Sequence, residues 1–189
     1  MTYNIQNNNL YFLSVGLLCL LSYLLNAVTA IYQCALIFTL IAVTVNAITF
    51  LYSKTKALTG LAIAVFVSFT LLWKLPYYID RKIVNSLATA SFSSVMISMY
   101  WSATVFQKLE DKCVVSISTP LSLAVGALID GLVMGLFFIM NNNFSYERVL
   151  DIFIREVSYK ILYAFVAFVI IATTLNIVKN NQKQRVHAK

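Results

Sequence analysis

Six long apolar runs decide what this chain can fold into. They cover about residues 10–28, 31–52, 57–73, 83–106, 114–140 and 152–178. A helix needs roughly 20 largely apolar residues, at 1.5 Å each, to cross the ~30 Å hydrocarbon layer of a bilayer. None of the runs shows the strict period-two alternation of a transmembrane barrel strand. Lipid offers the backbone no hydrogen-bond partners, so helices are the expected form. The expected fold is all-α: a polytopic integral membrane protein, with six transmembrane helices in one bundle. Residues 1–189 form a single membrane domain with short connections, and residues 179–189 are its basic tail.

Composition supports lipid as the solvent. The chain is 60% hydrophobic and 11% charged, whereas a soluble domain carries roughly 25% charged residues. The net charge of +7 does not point to nucleic acid, because the basic residues are scattered through short loops and the tail NIVKNNQKQRVHAK. That distribution fits membrane topology and attraction to anionic lipid headgroups. Val28-Thr29-Ala30 weakly resembles a signal-peptidase site, but MTYNIQNNN has no basic residue. The first run is longer than a signal h-region, so it is expected to be a retained helix. Cys19, Cys34 and Cys113 have no metal-like spacing and are expected to be packing residues.

Six spans place both termini on one side. That side carries Lys54, Lys56, Lys108, Lys112, Lys179, Lys183, Arg185 and Lys189 in SKTK, QKLEDK and the tail. The other side carries Lys74, Arg81, Lys82, Arg148 and Arg155, interleaved with Asp80, Glu147 and Asp151. The positive-inside rule therefore puts both termini in the cytoplasm. Trp73, Tyr77 and Tyr78 are expected in the outer aromatic belt, with Pro76 ending the third span.

Charged residues within spans are the strongest functional signal. Asp130 lies about ten residues from the end of span five, roughly 15 Å deep. Lys160 lies about eight residues into span six, roughly 12 Å deep. A carboxylate at the bilayer centre costs about 2.5–3.5 kcal/mol on insertion scales, so the two are natural partners. Glu156, four residues before Lys160 on the same helix face, can share its ammonium. Such a group either locks two helices together or lines a polar cavity.

Span four is rich in hydroxyls. Ala90, Ser94, Ser98 and Ser102 recur every four residues, with Thr89, Ser91 and Ser93 beside them. This stripe serves close helix packing or offers donors and acceptors to a polar heterocycle. Gly131 and Gly135 form GxxxG, and Gly60, Ala64 and Ser68 make a similar stripe in span three. Pro120 falls early in span five, where a helix tolerates it. Asn26 and Asn46 are single polar residues in spans one and two, and Asn46 is the more interior. The only histidine, His187, is in the tail, and no GxxxxGK[ST] phosphate loop is present. Enzymatic activity, catalytic residues, metal ligands and cofactors are not expected.

With LATASFSSVMIS, then STPLSLAVGALIDGLVMGLFFI, then FIREVSYKILYAFVAFVII in this order and spacing, the second half resembles the VUT family, six-helix inner-membrane proteins proposed to import 7-deazaguanine precursors of the tRNA nucleoside queuosine. The resemblance runs from about Ser86 to Val178, half of the chain. It rests on Ala88-Thr89-Ala90-Ser91-Phe92, on Val105-Phe106 before a basic loop, and on Pro120, Gly126, Asp130 and Tyr159-Lys160. The resemblance implies that Ser91, Asp130 and Lys160 line a binding site. Met99, Ser102, Ala127 and Asn46 stand where polar or acidic residues are usual in that family.

The expected function is import of a small polar heterocycle, such as preQ0 or preQ1, across a bacterial inner membrane. Asp130, Lys160, Ser91, Glu156, Thr89, Ser98 and Asn46 are the candidate substrate-binding residues. The expected partners are a nucleobase-like solute and membrane lipids, without nucleic acid. Two alternatives stand beside this reading. One is a substrate-binding subunit of an energy-coupling-factor vitamin transporter. The other is a structural membrane protein with no ligand.

Overall fold

The structure, a computed structural model, describes residues 8–72, 78–79, 82–83, 87–112, 114–140 and 144–187. Its six helices are α1 (Asn8–Ala27), α2 (Ile31–Leu51), α3 (Lys54–Leu72), α4 (Leu87–Glu110), α5 (Val115–Met140) and α6 (Tyr146–His187). All of them except α4 contain a stretch long and apolar enough to cross a membrane. Their outward faces agree with a lipid solvent. Phe12, Leu13, Phe66, Leu71, Phe165 and Ile170 are each at least 60% exposed, which water would penalise over so continuous a surface. The chain is thus an all-α helical bundle built for a membrane.

α4 departs from the expectation of six uniformly apolar spans. Its 24 residues are long enough to cross a bilayer, at roughly 36 Å. Its serines keep it from being apolar enough to count as a span on composition. Packing explains how such a helix is accommodated. α4 is in contact with α2, α3 and α5, and Ser94, Ser98 and Ser102 are completely buried. The hydroxyls face protein rather than lipid.

Several expected boundaries move. Span six was expected from residue 152, but α6 starts at Tyr146 behind Ser145, whose Oγ accepts the Arg148 amide hydrogen at 3.4 Å. That N-cap, with Glu147 in the first turn, makes a polar helix start that a search for apolar residues passes over. At its other end α6 continues to His187, so most of the basic tail is helical. Ser53 caps α3 in the same way, accepting from the Lys56 amide at 3.2 Å, so most of SKTK is helix. α4 begins at Leu87 rather than 83 and absorbs Gln107 to Glu110 of the expected QKLEDK loop. Tyr78–Ile79 and Lys82–Ile83 pair as two antiparallel strands, Tyr78 opposite Ile83. Trp73, Pro76 and Tyr77 lie outside the described residues.

α2 is the hub, touching α1, α3, α4, α5 and α6. Its buried side chains Phe38, Ile41, Val45 and Ile48 share one cluster with Leu18, Leu61, Val95, Met99 and Leu123. Small residues set the closest approaches. At Gly60 an added Cβ would come within 2.9 Å of Val15 Cγ2, so α1 and α3 meet here. Ser68, at the far end of the same stripe, donates to the Cys19 carbonyl at 3.1 Å. Threonine hydroxyls along the helices return to the preceding turn, as Thr39 does to the Ala35 carbonyl at 2.8 Å. That bond removes most of the cost of a hydroxyl in an apolar bundle.

Candidate functional site

The α5–α6 contact builds the centre of the site. A Cβ on Gly131 would lie 2.8 Å from the Phe153 ring and 3.0 Å from Val157 Cγ2. The missing side chain therefore lets α6 lie directly on α5. Asp130 precedes Gly131, and Lys160 follows Val157 by one helical turn. The close approach puts both charges in the same interior. Asp130 is 4% exposed and Lys160 2%.

The Lys160 ammonium bonds Asp130 Oδ2 and, at 2.5 Å, Glu156 Oε1. Its Nζ also lies 4.1 Å from the centre of the Phe38 ring of α2. The ring face offers a further favourable contact for a desolvated cation. Glu156 is the less enclosed member, with its side chain 19% exposed. The fourth contribution comes from α4. Ser94 Oγ donates to Asp130 Oδ1 at 2.6 Å and lies 3.1 Å from the Asp130 carbonyl oxygen. Each Asp130 oxygen thus has a protein donor on a different helix.

Charge counting gives this cluster its character. Two carboxylates share one ammonium, so with all three ionised the group carries one net negative charge. A pair that served only to lock helices would be neutral without Glu156. Each carboxylate oxygen has more than one acceptor site, so Asp130 retains capacity for another donor.

The seven expected binding residues separate in the structure. Asp130, Lys160 and Glu156 come together as their spacing suggested. Ser91 is half-buried, and the hydroxyl on Asp130 is that of Ser94, one turn further along α4. Thr89 is exposed. It lines an open groove of about 450 Å³ between α3 and α4, with Val65, Phe69, Phe92, Ser93 and Met96. Ser98 is buried, but its hydroxyl is spent on the Val95 carbonyl at 3.0 Å. Asn46 lies apart from the charges, where Nδ2 donates to Ser122 Oγ at 2.8 Å.

Ser94 and Phe38 are the partners that sequence reasoning did not place on the cluster. Ser94 stood in the four-residue stripe, which shows a common face but not which neighbour it meets. Phe38 carried no signal, since a phenylalanine in an apolar span is ordinary.

The chain matches no protein-family model, no curated protein and no solved structure.

Proposed function

We propose that this chain is a membrane transporter for a small polar heterocycle, a queuosine precursor of the 7-deazaguanine class. The bundle sits in a bacterial inner membrane with both termini in the cytoplasm, and it imports its solute. The observation that carries this reading is the buried cluster in which Asp130 and Glu156 share the single ammonium of Lys160. Ionisable groups within membrane bundles commonly mark solute or proton pathways. Here the net negative charge suits a solute that brings a positive charge or several N–H donors. PreQ1, with its cationic aminomethyl arm, meets both conditions, and preQ0 meets the second.

In this scheme Asp130 accepts from a ring N–H or exocyclic amine of the solute. Lys160 balances Asp130 and can turn toward a carbonyl oxygen. Glu156, nearest to the outside of the bundle, holds the extra negative charge. The reading draws further support from the VUT resemblance over residues 86–178, which includes Asp130 and Lys160.

The test is uptake of labelled preQ0, preQ1 and queuine by cells lacking both their own importer and precursor synthesis. Uptake by the parent chain and its loss in an equally abundant Asp130→Asn variant is the expected result. No uptake of any of the three by a well-expressed parent sinks the substrate assignment. Co-purification of the chain with an ATPase module would move it to the energy-coupling-factor class.

A further inference from the structure

A second polar group lies toward the start of α5 in the same bundle, and it holds no charge. Ser122 is on α5, eight residues before Asp130, about 12 Å along the helix. Its hydroxyl hydrogen is spent on the Thr119 carbonyl at 2.7 Å. Ser122 Oγ can therefore only accept, and the group facing it at 2.8 Å must be the Asn46 amide nitrogen. This fixes the orientation of the Asn46 amide and turns Oδ1 away from Ser122. Asn46 is 2% exposed, and Oδ1 has no hydrogen-bond partner among the described residues.

A second orphan packs against α5 one turn along from Ser122. Ser102 of α4 is completely buried, and its hydroxyl has no partner among the described residues. It packs against Gly126, where an added Cβ would stand 3.5 Å from Ser102 Oγ. Gly126 and Ser122 are one turn apart on the same face of α5. The third orphan, Ser22 Oγ, is on α1, in the part of the bundle formed with α2 and α3. The other described serines of the α4 and α5 interior behave differently. Ser94 bonds Asp130, and Ser98, Ser118 and Ser122 bond carbonyls of the preceding turn.

We propose that Asn46 and Ser102, seated on the Ser122–Gly126 turn of α5, form a second, uncharged hydrogen-bonding station between α2, α4 and α5. Asn46 Oδ1 accepts one hydrogen bond, and the Ser102 hydroxyl donates one. The matching ligand chemistry is a neutral donor–acceptor edge. Water provides it, and so does an amide-like N–H and C=O edge of a heterocycle. Leaving both groups idle would cost each its hydration without return. The station rests on the transporter reading for its purpose: a solute released from the charged cluster meets neutral hydrogen-bonding groups about two helical turns further on. Its existence can be tested without any uptake assay.

The experiment places a cysteine at the station. Ser102→Cys is made in a chain whose Cys19, Cys34 and Cys113 are replaced by alanine. Leu128→Cys on the exposed face of α5 is the lipid-facing control. Methyl methanethiosulfonate reacts with the thiolate, which forms only where water or polar groups reach the sulfur. Labelling of Ser102→Cys about tenfold or more faster than Leu128→Cys is the expected result. A folded Ser102→Cys protein that labels no faster than the control overturns the station. A parallel melt in detergent compares Ser102→Ala with the parent. A lower melting temperature is expected if the hydroxyl is bonded to a ligand, and a higher one shows an idle buried group and overturns the proposal.

Saturating preQ1 then separates the two sources of the ligand. Slower labelling means that the solute itself occupies the station, and unchanged labelling means that water does. If the parent takes up no 7-deazaguanine but Ser102→Cys labels, the substrate assignment falls and the station stands. If uptake is robust and Ser102→Cys is silent, the station falls alone.

Discussion

Ser94 donates to Asp130 Oδ1 at 2.6 Å while Lys160 holds Oδ2, so the carboxylate is gripped from α4 on one side and α6 on the other. Removing the α4 grip has a defined cost. Hydrogen bonds to charged groups contribute about 1.5–3 kcal/mol. Ser94→Ala is expected to lower stability in detergent by that order, and Ser91→Ala by much less. Equal melting temperatures for the two variants would show that Ser94 contributes nothing special to Asp130.

Breaking the buried ion pair from one side should be worse than removing it. Lys160→Met leaves the buried Asp130 and the partly exposed Glu156 without their cation, and Asp130→Asn leaves Lys160 with Glu156 alone. Removing one partner of a buried pair typically costs about 3–5 kcal/mol, because it leaves the other charge buried and uncompensated. The double variant Asp130→Asn, Lys160→Met is expected to melt above Lys160→Met. In uptake assays the double variant is expected to be inactive. A double variant that regains both stability and uptake would support a purely structural role and end the transport assignment for this cluster.

Glycine substitutions along α5 should differ sharply. At Gly131 a Cβ collides with Phe153 and Val157, and at Gly135 the nearest atom is Val149 Cγ1 at 3.8 Å, an ordinary contact. Gly131→Ala is expected to cost about 1–3 kcal/mol by forcing α5 and α6 apart. Gly135→Ala is expected to be neutral or stabilising by up to about 1 kcal/mol, because glycine is a poor helix former. Thermal unfolding of the two side by side decides it, and the same loss at both sites would contradict this packing.

Glu156 sets the net charge of the cluster. Glu156→Gln neutralises it while keeping the side-chain shape. Under the proposed function, the preference for cationic preQ1 over neutral preQ0 is expected to fall about tenfold, the equivalent of roughly 1.4 kcal/mol. Competition uptake with both solutes measures this directly. An unchanged ratio would show that Glu156 does not face the solute.

Much of this molecule was legible in one dimension because lipid imposes simple rules. Run length and the scarcity of charges led to six expected spans; five are helices apolar enough to cross a membrane, and the fourth is the less apolar α4, which starts four residues later than expected. Paired depth on neighbouring spans brought Asp130 to Lys160, and the four-residue interval brought Glu156 to Lys160. GxxxG marked the face where α5 meets α6, and Gly60 marked the face where α3 meets α1. Helix starts were less legible. Ser145 and Ser53 begin α6 and α3 in polar segments, where caps rather than hydropathy carry the signal.

What the amino-acid order determined by itself is the set of local and periodic properties: helices, their apolar lengths, and the residues sharing a face. What only the tertiary structure decided is which faces meet and at what rotation. That is why Ser94 rather than Ser91 reaches Asp130, why Thr89 is exposed, and why Phe38 lies over Lys160. It is also why Asn46 sits with Ser122 rather than with the charges. The physical reason is that periodicity places a side chain on its own helix to within a fraction of a turn. A hydrogen bond requires its partner within about 3 Å, and only the packing of neighbouring helices supplies that second coordinate.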